Sequence, residues 1–332
     1  MNEELALLME GALYVSSFFT LIIINACYLN VNGYISELLN CLFQFENAQP
    51  EMQTVLKRDK WIVNFGQFNS IMAAPILGIA YAIQRCLNPC NSATFAWFLL
   101  EECLIDPVGG KFGTKSSAFL IFITIFSTWI VLNLIGTFAF QCAEVFYVSS
   151  YCIVSYLKIF RNALNNCEAS KIEQGLRKYR QLQILERFLN GIHQDVITGA
   201  MLNMLIVCII ISAYSLIHLG WHISIPHLIL FSCLLVDCIA TIVLAFGAFA
   251  LVHTESTITL AFLKNLLIPG LELKYLRSVG LGRFRLKNVK KFVGSFYPLK
   301  VQIGNANFIE KTTPITVVEF CIGQTVNLLL MK

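Results

Sequence analysis

The most informative stretch of this chain is Thr312-Thr-Pro-Ile-Thr-Val-Val-Glu-Phe-Cys-Ile-Gly-Gln-Thr-Val-Asn-Leu-Leu-Leu-Met-Lys332. The stretch is mostly apolar and is long enough to cross a bilayer as a helix. It nevertheless contains Glu319, Gln324 and Asn327. Because polar side chains are costly at membrane depth, they usually face protein or water rather than lipid. The stretch therefore predicts a final membrane helix that lines a water path.

The polar positions of this helix have a regular spacing. Gly323, Asn327 and Leu330 share one face, and Gln324 lies beside them. A ring of carboxamides from several subunits would replace part of an ion's hydration shell, and a ring of Leu330 would form a dewetting gate. Glu319, about one turn toward the cytoplasm, would favour cations. The alternatives are that the carboxamides only hold helices together by hydrogen bonds and that Glu319 is an interface residue.

The composition of the whole chain is that of a membrane protein. Of its 332 residues, 57% are hydrophobic and 13% are charged, and the mean hydropathy is +0.68. These values lie outside the range of ordinary soluble domains. The net charge of +4 does not indicate a nucleic-acid partner. The acidic N-terminus lacks the positive region of a cleavable signal peptide.

Six segments are apolar enough to cross a bilayer, which requires about 20 such residues. They predict an all-α, polytopic membrane protein. Its predicted parts are 1–147 with three spans (about 12–29, 61–84 and 118–147), a helical extension at 148–196, 197–252 with two spans (about 197–217 and 225–252), an anchor segment at 253–313, and the final pore-lining span at 314–332.

Lys and Arg are concentrated in alternate connectors. The connectors 30–60, 148–196 and 253–313 hold 20 of the 24 Lys and Arg residues. Because positive residues mark the cytoplasmic side, these connectors are predicted to be cytoplasmic and both ends of the six-span chain to be extracellular. An extracellular C-terminus argues against a G-protein-coupled receptor, whose C-terminus lies in the cytoplasm.

The two longer cytoplasmic connectors carry patterns of regular structure. In the first, apolar residues recur at helical spacing in two groups, which predicts two helices. In the second, a helix over 258–267 ends at Pro269 and Gly270, and alternation indicates a strand further on, at Leu299, Val301 and Ile303. We expect these pieces to pack on one another as a cytoplasmic subdomain, because each has an apolar face.

The order of these features resembles the insect-type odorant and gustatory receptors of arthropods. Two motifs carry the resemblance, Asn32-Gly-Tyr-Ile-Ser-Glu-Leu-Leu-Asn40 and Ser295-Phe-Tyr-Pro-Leu-Lys300, which is similar to the phenylalanine–proline–leucine stretch before the family's last helix. The resemblance covers the whole chain in layout and is sharp over 271–332. It implies a tetrameric, ligand-gated cation channel with an intracellular N-terminus, an extracellular C-terminus and a pore lined by the last helix. On this register the six spans are the family's second to seventh, and the first is absent.

The last helix departs from the family pattern. Gustatory receptors usually carry Thr-Tyr, five residues and then Gln-Phe in this helix, whereas this chain has Gly323-Gln324 and Leu330-Met331 at those places. The choice between odorant and gustatory subfamilies therefore stays open, and so does the pore chemistry.

A small organic ligand is expected to bind between the outer halves of the spans. Such a pocket is mostly apolar and contains few polar groups. Its candidate residues are Phe126, Trp129, Tyr214, Phe231 and Asp237. Packing against lipid or other helices is the alternative for each aromatic residue. Asp237 lies near the middle of its span, where it would orient a ligand, join a coupling network or simply be protonated.

Cysteine and histidine residues suggest one disulfide and no metal site. Three cysteines share a connector and would include a disulfide if that connector is extracellular, the alternative being free thiols: Cys86, Cys90 and Cys103. Three histidines near the outer loop have no accompanying carboxylate or cysteine, so we expect no metal there. No nucleophile–base pair, phosphate-binding loop or carboxylate dyad appears in any connector. We therefore expect neither an enzyme nor a cofactor.

These inferences predict a chemosensory receptor of the plasma membrane, acting in taste or odour detection as a subunit of a ligand-gated, non-selective cation channel. Its partners would be a small organic ligand, membrane lipid and related subunits in a homo- or hetero-tetramer. A secondary transporter is the alternative, but it would need inverted-repeat halves and charges that converge at mid-membrane, where only Asp237 is well placed. A non-conducting or truncated partner subunit is a third interpretation.

Overall fold

Helices dominate the computed structural model, which describes residues 2–47, 149–165, 169–193, 197–221, 225–266, 291–304 and 307–331, with scattered positions between 78 and 136. The helices are α1 (Asn2–Asn47), α2 (Ser149–Asn165), α3 (Ala169–His193), α4 (Ile197–His218), α5 (Ile225–Thr241), α6 (Gly247–Leu266) and α7 (Thr313–Leu330). A π-helical turn (Ile242–Phe246) joins α5 to α6, and two strands, β1 (Gln302–Ile303) and β2 (Asn307–Phe308), precede α7.

The architecture is that of an all-α, multi-pass membrane protein. Three of the described helices are long and apolar enough to cross a bilayer, namely Ile197–His218, His227–Asn265 and Thr313–Leu330. A shorter apolar stretch, Gly11–Cys27, lies within α1. The predicted spans at 61–84 and 118–147 fall outside the described residues, apart from the scattered positions.

The first helix extends far beyond the predicted span at 12–29. α1 has 46 residues, which at 1.5 Å per residue corresponds to about 69 Å, more than twice the hydrocarbon thickness of a bilayer. It packs against α4, α3 and α2. Leu38 and Leu42, near its C-terminal end, are buried in the main hydrophobic cluster. α1 is therefore one long helix that connects the membrane helices to α2 and α3.

A second long helix is formed by α5, the π turn and α6. The sequence predicts that this span ends near Val252 and that a separate helix starts at Ile258, but the helix runs without a break from Ile225 to Leu266. The π turn widens the helix locally, a feature often found at functional sites. Its residues Ile242 and Phe246 are buried, and the turn packs against α7.

A compact core forms where α2, α3 and α6 meet residues 291–304 and 307–309, and we call this region the anchor. α2 packs against α3 and α6. The Tyr179 ring lies between the rings of Phe160 and Phe296, with centroid distances of 6.1 and 4.8 Å. Leu299 and Val301 are fully buried. These contacts join the anchor to the main hydrophobic cluster, which continues into the membrane helices.

The two strands form a small antiparallel ribbon, the exception to an otherwise helical fold. Gln302 pairs with Phe308 and Ile303 with Asn307. The turn between them includes Gly304 at φ +61°, a left-handed conformation that glycine adopts without steric cost. The Leu299–Ile303 alternation noted in the sequence therefore corresponds to a strand that enters this ribbon.

Candidate functional site

α7 contacts the rest of the described protein through one side. Pro314, Cys321 and Thr325 are its buried residues, and they lie on the same side of the helix. This side packs against α4 and the π turn. The Thr325 hydroxyl donates to the Cys321 carbonyl (2.8 Å), which satisfies the buried donor. The opposite side of α7 is exposed in a single protomer.

Four of the five predicted pore residues lie on that opposite side: Glu319, Gly323, Asn327 and Leu330. We call them the exposed stripe. Their spacings of four, four and three residues place them along one line of the helix. The Leu330 side chain is 76% exposed. The stripe offers polar and small groups on the outside of an apolar helix, where lipid would solvate them poorly.

Gln324, the fifth predicted pore residue, lies to one side of the exposed stripe. One residue turns a helix by about 100°, so Gln324 points between the stripe and the buried side. Its side chain is half-buried. The structure thus places Gln324 at the flank of α7.

The start of α7 is joined tightly to the strand ribbon. The Ile309 N–H donates to the Val301 carbonyl (3.0 Å). One residue later, the Glu310 N–H donates to Thr313 Oγ1 (2.9 Å), while the Thr313 N–H donates to the Glu310 carbonyl (3.0 Å). Pro314 stands at the first turn of α7. Proline has no backbone N–H, but an N–H at this position has no acceptor within the helix, so no hydrogen bond is lost. A displacement of the ribbon would therefore move the base of α7.

Four polar side chains of α3 hold the segment that leads into the ribbon, and we call them the clasp: Tyr179, Gln183, Glu186 and Asn190. Tyr179 Oη and Gln183 Nε2 both donate to the Tyr297 carbonyl, at 3.0 and 3.3 Å. Tyr297 precedes Pro298, which has no N–H to donate. These side chains therefore replace hydrogen bonds that regular secondary structure would supply.

Asn190 binds the same segment as a neighbouring strand would. Its Nδ2 donates to the Lys300 carbonyl (2.8 Å), and its Oδ1 accepts from the Gln302 N–H (3.0 Å). The carboxamide thus satisfies one acceptor and one donor on either side of the fully buried Val301. Buried backbone groups without such partners are costly.

Glu186 is the buried acid of the clasp, with 4% of its surface exposed. It accepts hydrogen bonds from Asn190 Nδ2 (2.9 Å), the Lys300 N–H (3.3 Å) and Tyr297 Oη (3.4 Å). Burial raises the pKa of the Glu186 carboxyl, and the hydrogen bonds from Lys300 and Tyr297 act in the opposite direction. Burial has the larger effect, so Glu186 holds its proton more tightly than an exposed glutamate does.

α6 also binds the segment that leads into the ribbon, on the side opposite to α3. The Leu299 N–H donates to Ser256 Oγ (3.0 Å), and Ser256 Oγ lies 3.3 Å from the Leu299 carbonyl. An ion pair between Arg161 of α2 and Glu255 of α6 (2.9 Å) ties these helices together. The residues before α7 are thus held between α3 and α6.

Polar and thiol groups from four helices converge within the membrane bundle. Cys208 Sγ of α4 lies 3.6 Å from Ser17 Oγ of α1. Cys208, Cys238 of α5 and Cys321 of α7 are all buried in the same hydrophobic cluster. Asp237, next to Cys238 on α5, is half-buried. The buried side of α7 therefore meets the bundle at a partly polar contact.

The predicted ligand-pocket residues fall into two groups. Tyr214 and Phe231 are buried on α4 and α5, which pack against each other, and the Tyr214 ring lies 5.3 Å from the His218 ring. Phe126 and Trp129 are exposed, with their rings stacked at 6.3 Å. Most residues around that second pair lie outside the described part of the chain. The structure thus places Tyr214, Phe231 and Asp237 on one helix pair and the other two elsewhere.

The predictions for the disulfide, the metal site and the three histidines can be compared with the structure only in part. Cys86, Cys90 and Cys103, the predicted disulfide residues, lie outside the described residues. Within the described ranges, no group of three or more His, Cys, Asp or Glu could hold a metal ion. Of the three histidines, His218 and His227 are described and His222 is not.

The clasp was not found by sequence reasoning, although a signal for it was present. Tyr179, Gln183, Glu186 and Asn190 follow each other at spacings of four, three and four, which places all four on one face of a helix. When polar residues share a helix face with buried leucines, they are buried too and need hydrogen-bond partners. Such a face indicates that a neighbouring segment offers it backbone N–H and C=O groups that are not paired within secondary structure. The sequence does not say which segment supplies those groups.

Comparison with known proteins identifies the fold. The chain is similar to the insect olfactory receptor OR5 from Machilis hrabei in complex with eugenol, with a TM-score of 0.69 and 13% identity over 99% of this chain and 82% of that chain. A second structure of that receptor gives a TM-score of 0.68 and 11% identity over 98% and 82%. No family model matches the sequence, and no curated protein matches it significantly. The chain thus has the fold of an insect-type chemoreceptor.

Proposed function

We propose that this chain is a chemosensory receptor subunit that forms a ligand-gated, non-selective cation channel in the plasma membrane and serves taste or odour detection. One observation carries the proposal. The exposed stripe of α7 places Glu319, Gly323 and Asn327 opposite the packed side of an apolar helix, in a chain with the fold of an insect olfactory receptor. Because lipid solvates such groups poorly, the stripe needs water or protein in the assembled molecule.

Four copies of α7 around one axis would give the stripe that environment. Rings of Asn327 would replace part of an ion's hydration, and the exposed Leu330 side chains would form a constriction that closes by dewetting. Gly323 would leave the middle of the pore wide. Glu319 would attract cations at the cytoplasmic end. Gln324, at the flank, would bind a neighbouring α7 rather than the ion.

A small organic ligand would bind between the outer parts of α1, α4 and α5. The related receptor was solved with eugenol, and here Tyr214 and Phe231 offer buried aromatic surface on this helix pair. A ligand that binds the open state more tightly shifts the population toward it. The clasp holds the base of α7, so the outer part of α7 is the part that would move.

The anchor would hold the subunits of a homo- or hetero-tetramer together on the cytoplasmic side. The concentration of Lys and Arg in connectors 148–196 and 253–313 supports this side for the anchor. The C-terminus after α7 would then be extracellular.

The test is electrical recording from cells that express the chain alone or with a related co-receptor. We expect a panel of small organic compounds to evoke a current carried by both Na⁺ and K⁺, with a reversal potential near zero. Coupled uptake of a compound without channel current would instead indicate a transporter. Surface-expressed protein that responds to no compound, alone or with a partner, would contradict the proposal.

A further inference from the structure

Three side chains meet where the strand ribbon touches α6, and we call them the ribbon cluster: His253, Lys300 and Phe308. The His253 ring of α6 lies 5.0 Å from the Phe308 ring of β2, with an interplanar angle of 54°. The Lys300 ammonium lies 4.1 Å from the centroid of the same Phe308 ring, a distance at which a cation is attracted to an aromatic ring. All three side chains are half-buried. One aromatic ring therefore contacts both a histidine and a cation.

The ribbon cluster joins two elements that the proposed channel uses. His253 belongs to the long helix that runs from Ile225 to Leu266 and packs against α4 in the membrane bundle. Phe308 is two residues before Glu310, whose hydrogen bonds with Thr313 mark the start of α7. The ring contact is thus a direct link from the long helix to the base of α7, in addition to the clasp on α3.

The surroundings of His253 favour its neutral form. His253 follows the predicted span at 225–252 and lies in the anchor, beside the ribbon. Burial lowers the pKa of His253, the Lys300 ammonium lowers it further, and the Glu310 carboxylate acts in the opposite direction. Since the ordinary histidine pKa is about 6.5, His253 is neutral at neutral pH and gains its proton only on acidification.

The other charged groups beside α6 belong to α2. α6 packs against α2 and the π turn, and the π turn has no charged residue. The charged residues of α2 are Lys158 and Arg161, and Arg161 is paired with Glu255 of α6. Among the described residues, Lys300 and Glu310 are the charged groups that act on the imidazole. Lys300 is therefore the cation that opposes its protonation.

Acidification should weaken the ring contact, as the direction of the pKa shift requires. The folded protein binds this proton less tightly than the unfolded chain does, so acid favours states in which His253 is released. The stability that neutral His253 contributes is present above the ordinary histidine pKa of about 6.5 and is lost as the pH falls through the lowered value. The contact with Phe308 separates first, because it involves only side chains.

We propose that the ribbon cluster is a cytoplasmic proton sensor, in which neutral His253 holds the ribbon against α6 and protonated His253 releases Phe308 and loosens the base of α7. The cytoplasmic location and the effect on current rest on the proposed function, whereas the release of the ribbon does not. Acid on the cytoplasmic side lowers the ligand-evoked current, because movement of the long helix is no longer passed on to α7.

Hydrogen exchange measured by mass spectrometry tests the release without any current. The purified protein in lipid nanodiscs is compared with His253→Phe, which keeps an aromatic ring at this position and cannot take up a proton. At about pH 5.5, below the ordinary histidine pKa, we expect residues 307–316 to exchange several-fold faster in the original protein than in the variant. At about pH 7.5 this difference should be much smaller. Residues 197–218 of α4 should exchange equally in both proteins at either pH.

Two further positions provide matched variants. Lys300→Gln removes the opposing cation and should reduce the acid-induced rise in exchange, whereas Lys300→Arg keeps the charge and should retain it. The backbone groups of residue 300 that bind the clasp remain in both variants. His218→Phe is the control, because the His218 ring lies 5.3 Å from the Tyr214 ring in the membrane bundle. It should behave like the original protein.

Two exchange results would overturn the inference. The first is equal exchange of residues 307–316 in the original protein and His253→Phe at about pH 5.5. The second is an acid-induced rise that Lys300→Gln leaves unchanged.

The effect on current is measured separately, in excised patches with acid applied to the cytoplasmic face. We expect a several-fold smaller ligand-evoked current in the original protein and little change in His253→Phe. A current that responds equally to acid in both proteins would contradict the sensor and leave the channel standing. Acid-induced exchange without any ligand-evoked current would contradict the channel and leave the sensor standing.

Discussion

Single side chains decide how the segment before α7 is held. Asn190 provides one donor and one acceptor to backbone groups on either side of Val301. One carboxamide thus makes the two hydrogen bonds that a neighbouring strand would otherwise make. Glu186 gathers three donors around a buried carboxylate. Since buried polar groups need partners, these residues make the position of the segment specific.

We expect Asn190→Ala to destabilise the anchor. The substitution leaves the Lys300 carbonyl and the Gln302 N–H without partners, at about 1–3 kcal/mol for each unsatisfied group. The melting temperature of the purified protein should fall by several degrees. Gln181→Ala is the control, because Gln181 is on the same helix but exposed. Equal melting temperatures for the two variants would show that the hydrogen bonds of Asn190 contribute nothing to stability.

Glu186 should make stability depend on pH in a defined direction. Burial raises its pKa in the folded state, so the folded protein binds this proton more tightly than the unfolded chain does. Its contribution is fully present below the ordinary glutamate pKa of about 4.3 and is lost as the pH rises through the raised value. Thermal unfolding across this range should therefore show a steeper loss of stability for the original protein than for Glu186→Gln. Parallel curves would contradict this assignment.

At the scale of elements, α7 has two sides with different surroundings. Cys321 and Thr325 face the bundle, and the exposed stripe faces away from it. This division follows from the spacing of Gly323, Asn327 and Leu330, so it could be predicted from the sequence alone.

Leu330→Ala should increase the current that flows without ligand. The smaller side chain widens the proposed constriction and lowers the cost of wetting it. Ile322→Ala is the matched control, because Ile322 is exposed but lies about 100° around the helix from Gly323. Recordings in the absence of ligand should show a several-fold larger basal current for Leu330→Ala only. A leak in both variants or in neither would argue against Leu330 as the gate.

The sequence was less informative about where helices end. It predicted a connector at 30–60 and a break after Val252, but α1 continues to Asn47 and α6 to Leu266. Hydropathy marks the part of a helix that meets lipid and does not report its continuation as an amphipathic helix. α1 packs on α2 and α3, and α6 packs on α2; such tertiary contacts stabilise a helix but are not visible in a hydropathy pattern. The contacts of the clasp were hidden for the same reason.

At the scale of the whole molecule, two long helices link the membrane bundle to the anchor. α1 reaches α2 and α3, and the helix from Ile225 to Leu266 passes from the α4 contact to the α2 contact. The anchor in turn holds the base of α7 through the ribbon. A ligand between α1, α4 and α5 would therefore act on helices that are fixed at one end.

This arrangement predicts the topology. An epitope tag after Lys332 should be labelled in intact cells, because α7 would end on the extracellular side. A tag inserted between α2 and α3 should be labelled only after permeabilisation. The opposite pattern would place the anchor outside and exclude an insect-type receptor orientation, whereas labelling of both tags in intact cells would exclude the proposed set of spans.

The most direct test of the account is the accessibility of α7 during ligand-evoked current. A charged, water-soluble thiol reagent is applied to Asn327→Cys and to Ile322→Cys, with the original protein as the control for native cysteines. We predict that the reagent blocks the current of Asn327→Cys and leaves the current of Ile322→Cys unchanged, because only the exposed stripe would meet the water of the pore. Block at Ile322→Cys without block at Asn327→Cys would show that the stripe faces lipid or protein, and that α7 does not line a pore in the way proposed.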